Sequence, residues 1–114
     1  MTVSKGEIWL ADLNPVKRNN EVGKKRPVLI FQSDALNHSA YSTTMILPLS
    51  TDRIDHAEPL RVRITQRERL HHDSDVLIAQ IRAIDNARLI ELLASVTPDE
   101  YAHIKSCFLE LIDA

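Results

Sequence analysis

The sequence predicts a small, mainly antiparallel β-barrel with one α-helix packed on it. Three observations point to this class. Five or so short apolar segments of strand length are separated by polar, turn-forming stretches. Strands and helices do not alternate, which argues against a parallel βαβ sheet. The chain closes on an amphipathic segment with a complete helix-start signature. With 114 residues it has room for one modest core, so residues 1–114 are read as a single domain.

The elements follow in order. "GEIWLADL" (6–13) has strand spacing, with Ile8 and Leu10 on one face and Trp9 on the other. "NPVKRNNEVGKK" (14–25) is a long polar loop with Pro15 and Gly23, and loops of that length in compact domains are often functional. "RPVLIFQ" (26–32) is the second strand; Pro27 fits at its first position, where a missing N–H costs little. "SDALNHSAYS" (33–42) is turn-like, and "TTMILPLST" (43–51) is a third strand in which Pro48 marks an edge or a bulge. "PLRVRIT" (59–65) alternates Leu60, Val62 and Ile64 against Arg61, Arg63 and Thr65, as a half-exposed strand does.

"HHDSDVLIAQIRAID" (71–85) is expected to form a fifth, long strand, and "NARLIELLA" (86–94) a short helix. Thr97 as N-cap, Pro98 at the first helical position and Glu100 as capping-box partner then start a second helix. Tyr101, Ile104, Phe108 and Leu111 recur at helical spacing along it, with Ile112 beside them.

Composition excludes several classes. Hydrophobic residues make up 44% and charged residues 26%, an ordinary globular balance. No apolar run is long enough to span a bilayer, and "MTVSKGEIWL" lacks a signal-peptide core, so a cytoplasmic protein without membrane contact is expected. Cys107 is the single cysteine and cannot form an internal disulfide; it reads as a buried small apolar residue. The net charge is −2, but residues 1–26 hold six basic and three acidic side chains, a local +3 that leaves −5 for the remainder. A basic lobe on an acidic body suits steering of a polyanion to one place. A solvated loop with scattered charge is the plain alternative.

Conventional catalytic motifs are absent: no phosphate-cradling glycine pattern, no GxSxG and no HExxH. His71 and His72 are adjacent, so they point to opposite faces of a strand, and they lie beside Asp73 and Asp75 without partner cysteines. A solvated turn is the expected reading, with no metal site and no cofactor. His38, His56 and His103 stand in no motif. A dispersed polar set remains. Arg26 ends the basic loop, Ser50 and Thr51 end the third strand, and Gln80 and Arg82 lie two apart on the fifth, on one face. Arginine suits phosphate because its planar fork donates paired hydrogen bonds and stays charged. Taken singly, the plain readings prevail: Arg26 in a surface salt bridge, Ser50 and Thr51 in a turn, Gln80 and Arg82 on a solvent-facing stripe.

In order, "GEIWLADLNPV", a basic loop, "GKKRPVLIF", "LPLST", "QIRAID" followed by "RL", and a capped terminal helix resemble the MazF/PemK family of toxin endoribonucleases. The resemblance covers nearly the whole chain. It implies an SH3-like barrel with a terminal helix, a homodimer, and metal-independent, sequence-specific cleavage of single-stranded RNA. It also implies a cognate antitoxin that covers the RNA groove, with DNA binding only through the antitoxin complex. By position, the family's catalytic arginine corresponds to Arg26 and its hydroxyl residue to Ser50. Lys17, Arg18, Lys24, Lys25, Thr51, Gln80 and Arg82 are the expected RNA-binding side chains.

Two departures stand out. Serine occupies position 50 where threonine is frequent in the family, and Ala79 stands where many members carry an acidic residue. Two other functions remain open on the same fold. A gyrase poison would bind through its terminal helix, but "CFLELIDA" lacks the Trp-Gly-Ile ending of that group. A catalytically weakened RNA-binding or repressor partner would suit the alanine at 79.

Overall fold

Ile8 and Trp9 are both buried although they are neighbours in a strand, so the first strand has protein on both faces. A computed structural model of the chain describes residues 2–13 and 25–113. Its strands are β1 (Glu7–Asp12), β2 (Lys25–Ile30), β3 (Thr43–Ser50), β4 (Arg61–Ile64), β5 (Ser74–Leu77), β6 (Arg82–Asp85) and β7 (Leu89–Ser95). Two helices accompany them, the single turn α1 (Asp34–Asn37) and the terminal α2 (Pro98–Ile112). The strands pair antiparallel in the order β4-β5-β3-β2-β1-β7, with β6 also on β3.

The expected mainly β, antiparallel architecture with a closing helix is therefore observed, and its sheet is not closed. Among the described residues no ladder joins β4 to β7. The segment after β4 instead meets β7 through one backbone bond, Arg69 N–H to the Leu93 carbonyl at 3.0 Å. Side chains support that seam: Arg69 pairs with Glu91, and Arg67 with Glu100 of α2.

The two faces of the sheet bury separate clusters. Ile8, Leu29, Leu47, Leu49, Val76 and Ile78 pack beneath α2 with its Ile104 and Cys107. Tyr101, Phe108 and Leu111 join from the helix, and the Phe31 ring meets those of Tyr101 and Phe108 at 5.5 and 5.3 Å. Trp9, Ala11, Val28, Ile30, Ile46, Ile84 and Leu89 form the second cluster on the opposite face. Both faces of β2 are thus covered, which explains its unbroken apolar run. Leu60, assigned inward by its alternation with Val62 and Ile64, is 55% exposed, and Ile112, beside the helical stripe, is 63% exposed; each lies at the end of its element, beyond the edge of the core.

Pro48 sits where β3 changes partners. Its N-terminal half pairs with β6 through Ile46, and its C-terminal end pairs with β5 from Leu49. A proline is tolerated there because the ladder on that side is already interrupted.

Two expected elements are corrected. Residues 71–85 do not form one strand; a 3₁₀ turn over Ile78–Gln80 separates β5 from β6. Residues 86–94 are not helical: a 3₁₀ turn over Asn86–Arg88 leads into β7, which pairs with β1. Ala, Leu, Glu and Arg favour helix locally, but the free edge of β1 supplies backbone partners that the propensity does not see. The terminal helix matches its expected start, since Thr97 Oγ1 accepts from Glu100 N–H at 3.1 Å and Glu100 Oε1 from Thr97 N–H at 2.8 Å.

Candidate functional site

The ladder between β2 and β3 runs Val28 to Pro48, Leu29 to Leu47 and Ile30 to Ile46. Carried two residues past Val28, the same register sets Arg26 opposite Ser50. On its other side Arg26 faces Ala11 of β1. Ser50 faces Asp75 of β5, which in turn faces Arg63 of β4. Directly opposed residues of an antiparallel sheet share a face. Ala11, Arg26, Ser50, Asp75 and Arg63 therefore form one row across the sheet, neighbouring strands being about 4.8 Å apart.

Within that row the side chains differ in what holds them. Arg26 is half-buried, and among the described residues no carboxylate pairs with it. Ala11 beside it presents only a methyl group. Ser50 Oγ accepts from the Asp52 N–H at 3.1 Å, which leaves its own hydrogen free to donate. The Asp75 side chain is only 1% exposed and accepts from three groups: Ile54 N–H at 2.9 Å, Arg61 at 3.0 Å, and Arg63 Nε. Burial works to raise the Asp75 pKa, but the hydrogen bonds from Arg63, Ile54 and Arg61 outweigh it and hold the carboxyl below its ordinary value. Arg61 also donates to the Asp52 carbonyl at 2.9 Å, and Arg63 to Asp55 at 3.0 Å. The segment that follows Ser50 is thus pinned to the sheet by one buried carboxylate and two guanidiniums.

The other expected site residues are dispersed. Lys25 begins β2, exposed, opposite Asp12. Lys17, Arg18 and Lys24 lie outside the described residues. Thr51 is the first residue beyond β3 and lines a different cavity of 250 Å³ with Arg53, His71, His72 and Asp73. Arg82 pairs with Ile46, on the face that Ser50 shares but four residues away, roughly 13 Å along the strand. Gln80 does not stand on a strand with Arg82 as its spacing suggested, because the 3₁₀ turn intervenes; both are exposed. Ala79, also exposed, lies in that turn.

Sequence reading missed Asp75 and its arginines. It placed Asp75 in the fifth strand but named it only as a neighbour of the His71–His72 pair, with no hint that it is buried in β5 opposite Ser50. The alternation of Arg61 and Arg63 was visible, but nothing in it marked a carboxylate fourteen and twelve residues on as their shared partner.

With this geometry, residues 4–112 match the family described as PemK-like, MazF-like toxins of type II toxin-antitoxin systems. Solved structures share the fold. The MazE-MazF complex of Deinococcus radiodurans superposes with a TM-score of 0.79 at 21% identity, covering 98% of this chain and 96% of that one. The Mycobacterium tuberculosis toxin MazF-mt6 gives 0.76 at 18% identity, covering 94% and 96%. A mycobacterial endoribonuclease solved in complex with its cognate antitoxin gives 0.76 at 20% identity, covering 96% and 94%. The match over almost the whole length makes this chain a member of the PemK-like, MazF-like toxin family of type II toxin-antitoxin systems.

Proposed function

We propose that the chain is a toxin endoribonuclease that cuts single-stranded RNA at a short sequence by attack of the RNA's own 2′-hydroxyl. The observation that supports this most directly is the β2–β3 ladder, whose register, continued two residues past Val28 and Pro48, sets Arg26 opposite Ser50. A cation that no carboxylate among the described residues pairs with, beside a hydroxyl donor, suits a phosphodiester. The guanidinium donates paired bonds to non-bridging oxygens, and the Ser50 hydroxyl donates a further one.

The substrate supplies its own nucleophile, so the protein's part is orientation and charge stabilisation. The 2′-oxygen forms a bond to phosphorus as it loses its proton. The bond to the 5′-oxygen breaks, and that oxygen takes up a proton, leaving a 2′,3′-cyclic phosphate and a 5′-hydroxyl. Arg26 and Ser50 stabilise the charge that develops on the phosphoryl oxygens. No metal or cofactor enters this chemistry. Lys25 and Arg82, with Lys17, Arg18, Lys24, Thr51 and Gln80, contact the flanking nucleotides, and a homodimer presents the groove that a cognate antitoxin covers.

The test is incubation of purified protein with a long unstructured RNA in EDTA, followed by mapping of the cut ends. Discrete cuts with cyclic-phosphate ends are expected. Intact RNA with inhibited gyrase would support a poison of the same fold instead, and RNA binding without either would support a repressor-like partner.

A further inference from the structure

Away from the row that holds Arg26 and Ser50, three chemically different ligand side chains converge. His103 and Cys107 are four apart on α2, so helical geometry stacks them on one face. Glu58 reaches them from the connection between β3 and β4. The Nε2 atom of His103 lies 3.0 Å from Glu58 Oε1 and 3.9 Å from Cys107 Sγ. All three ligand atoms fall within 4.8 Å of one another. We propose that Glu58, His103 and Cys107 form a binding site for a borderline-soft divalent cation, zinc or cobalt, with water as the fourth ligand.

The distances favour this over a chance surface contact. A tetrahedral zinc with Zn–N and Zn–O near 2.1 Å and Zn–S near 2.3 Å sets its ligand atoms roughly 3.4–3.6 Å apart. The two measured separations bracket that value, so a cation needs only sub-ångström adjustments around His103. The one larger movement falls to Glu58, an exposed side chain free to make it. The nitrogen, sulfur and carboxylate set suits zinc and cobalt better than magnesium or calcium, which prefer oxygen alone.

The backbone that presents Glu58 is anchored on both sides. Leu60 N–H donates to the Ala57 carbonyl at 2.9 Å, and Ile78 N–H donates to the Leu60 carbonyl at 3.0 Å. The Cys107 thiol is buried, and burial with the nearby carboxylates of Glu58 and Glu110 pushes its pKa up. Such a thiol is a poor nucleophile, which argues against reading the trio as a catalytic triad. The same carboxylates attract a divalent cation, which would then deprotonate the sulfur. A bound ion would tie the segment that follows Ser50 to α2, outside the chemistry of cleavage.

The experiment is titration of EDTA-stripped, full-length protein with Co²⁺ alone and then Zn²⁺, under reducing conditions. One equivalent of Co²⁺ should produce thiolate-to-cobalt charge-transfer absorption that Zn²⁺ bleaches, and Zn²⁺ should raise the melting temperature. Cys107→Ser should abolish the charge-transfer band. Because Cys107 is in the core, His103→Gln and Glu58→Gln provide the exposed controls. Each should weaken Zn²⁺ binding by at least about tenfold, since even outer-shell partners contribute that much. Absence of a thiolate band in the parent protein, or Zn²⁺ binding that His103→Gln and Glu58→Gln leave unchanged, would overturn the site. The latter would show adventitious binding elsewhere, for example at the exposed His71 and His72.

Discussion

Arg26 and Ser50 were readable as residues but not as a pair. Their types and flanking strands stood in the sequence, whereas their opposition depends on a register that only the folded β2–β3 ladder fixes. Arg26→Ala should lower the cleavage rate on the order of a hundredfold, as for loss of other oxyanion donors, with little change in melting temperature because the side chain is only half-buried. Single-turnover cleavage beside a melting curve checks both. Ser50→Ala should slow cleavage more than Thr51→Ala, because Thr51 lies past the strand and lines another cavity. Ala79→Glu should narrow the set of cleaved sequences, since a carboxylate can accept from base amino groups; one such contact is worth about 1–3 kcal/mol of discrimination. Comparison of cut-site profiles on one RNA pool measures that, and identical profiles would mean that position 79 reads no base. Asp75 could not have been found in this way. Its importance comes from burial among Arg61, Arg63 and Ile54, none of which is near it in the sequence.

Among the elements, α2 was the most legible and β7 the least. A capping box is a local signature, written in four consecutive residues. Strand β7 is made of helix-favouring residues and exists because β1 has an edge to fill. The 3₁₀ turn that divides β5 from β6 contains neither glycine nor proline, so no punctuation announced it. Thr97→Ala should destabilise the fold by about 1 kcal/mol, read by denaturant unfolding. Glu100 serves both the cap and Arg67, and the hydrogen bond from Arg67 is the main reason its pKa falls to about 2. A carboxylate depressed in the folded state stabilises it fully above the unfolded value near 4.5, and that contribution disappears as pH drops towards 2. Glu100→Gln should therefore cost stability at neutral pH and flatten the acid limb of the stability profile between about pH 4.5 and 2. Melting temperatures of the two proteins across that window test the sign.

At the scale of the molecule, the fold class was legible because alternation and apolar runs report how many faces each strand buries. Closure was not, because it depends on how the sheet's two edges meet. Light scattering at micromolar concentration should give a dimer, as the proposed groove requires; a monomer that cleaves at full rate would contradict it. The meeting of the edges has its own consequence. Where Arg69 donates to Leu93, a single backbone amide joins the end of one hairpin to β7, and further support comes from ion pairs, an Arg67 bond to the Ser95 carbonyl and the buried Leu70 side chain. A ladder breaks cooperatively, but one bond can part while every neighbouring strand stays paired. The Arg69 amide should therefore exchange its hydrogen with solvent far sooner than those of β2 and β3, and faster again as salt screens the flanking charges. The circumference of this molecule is a property of its ionic surroundings as well as of its core.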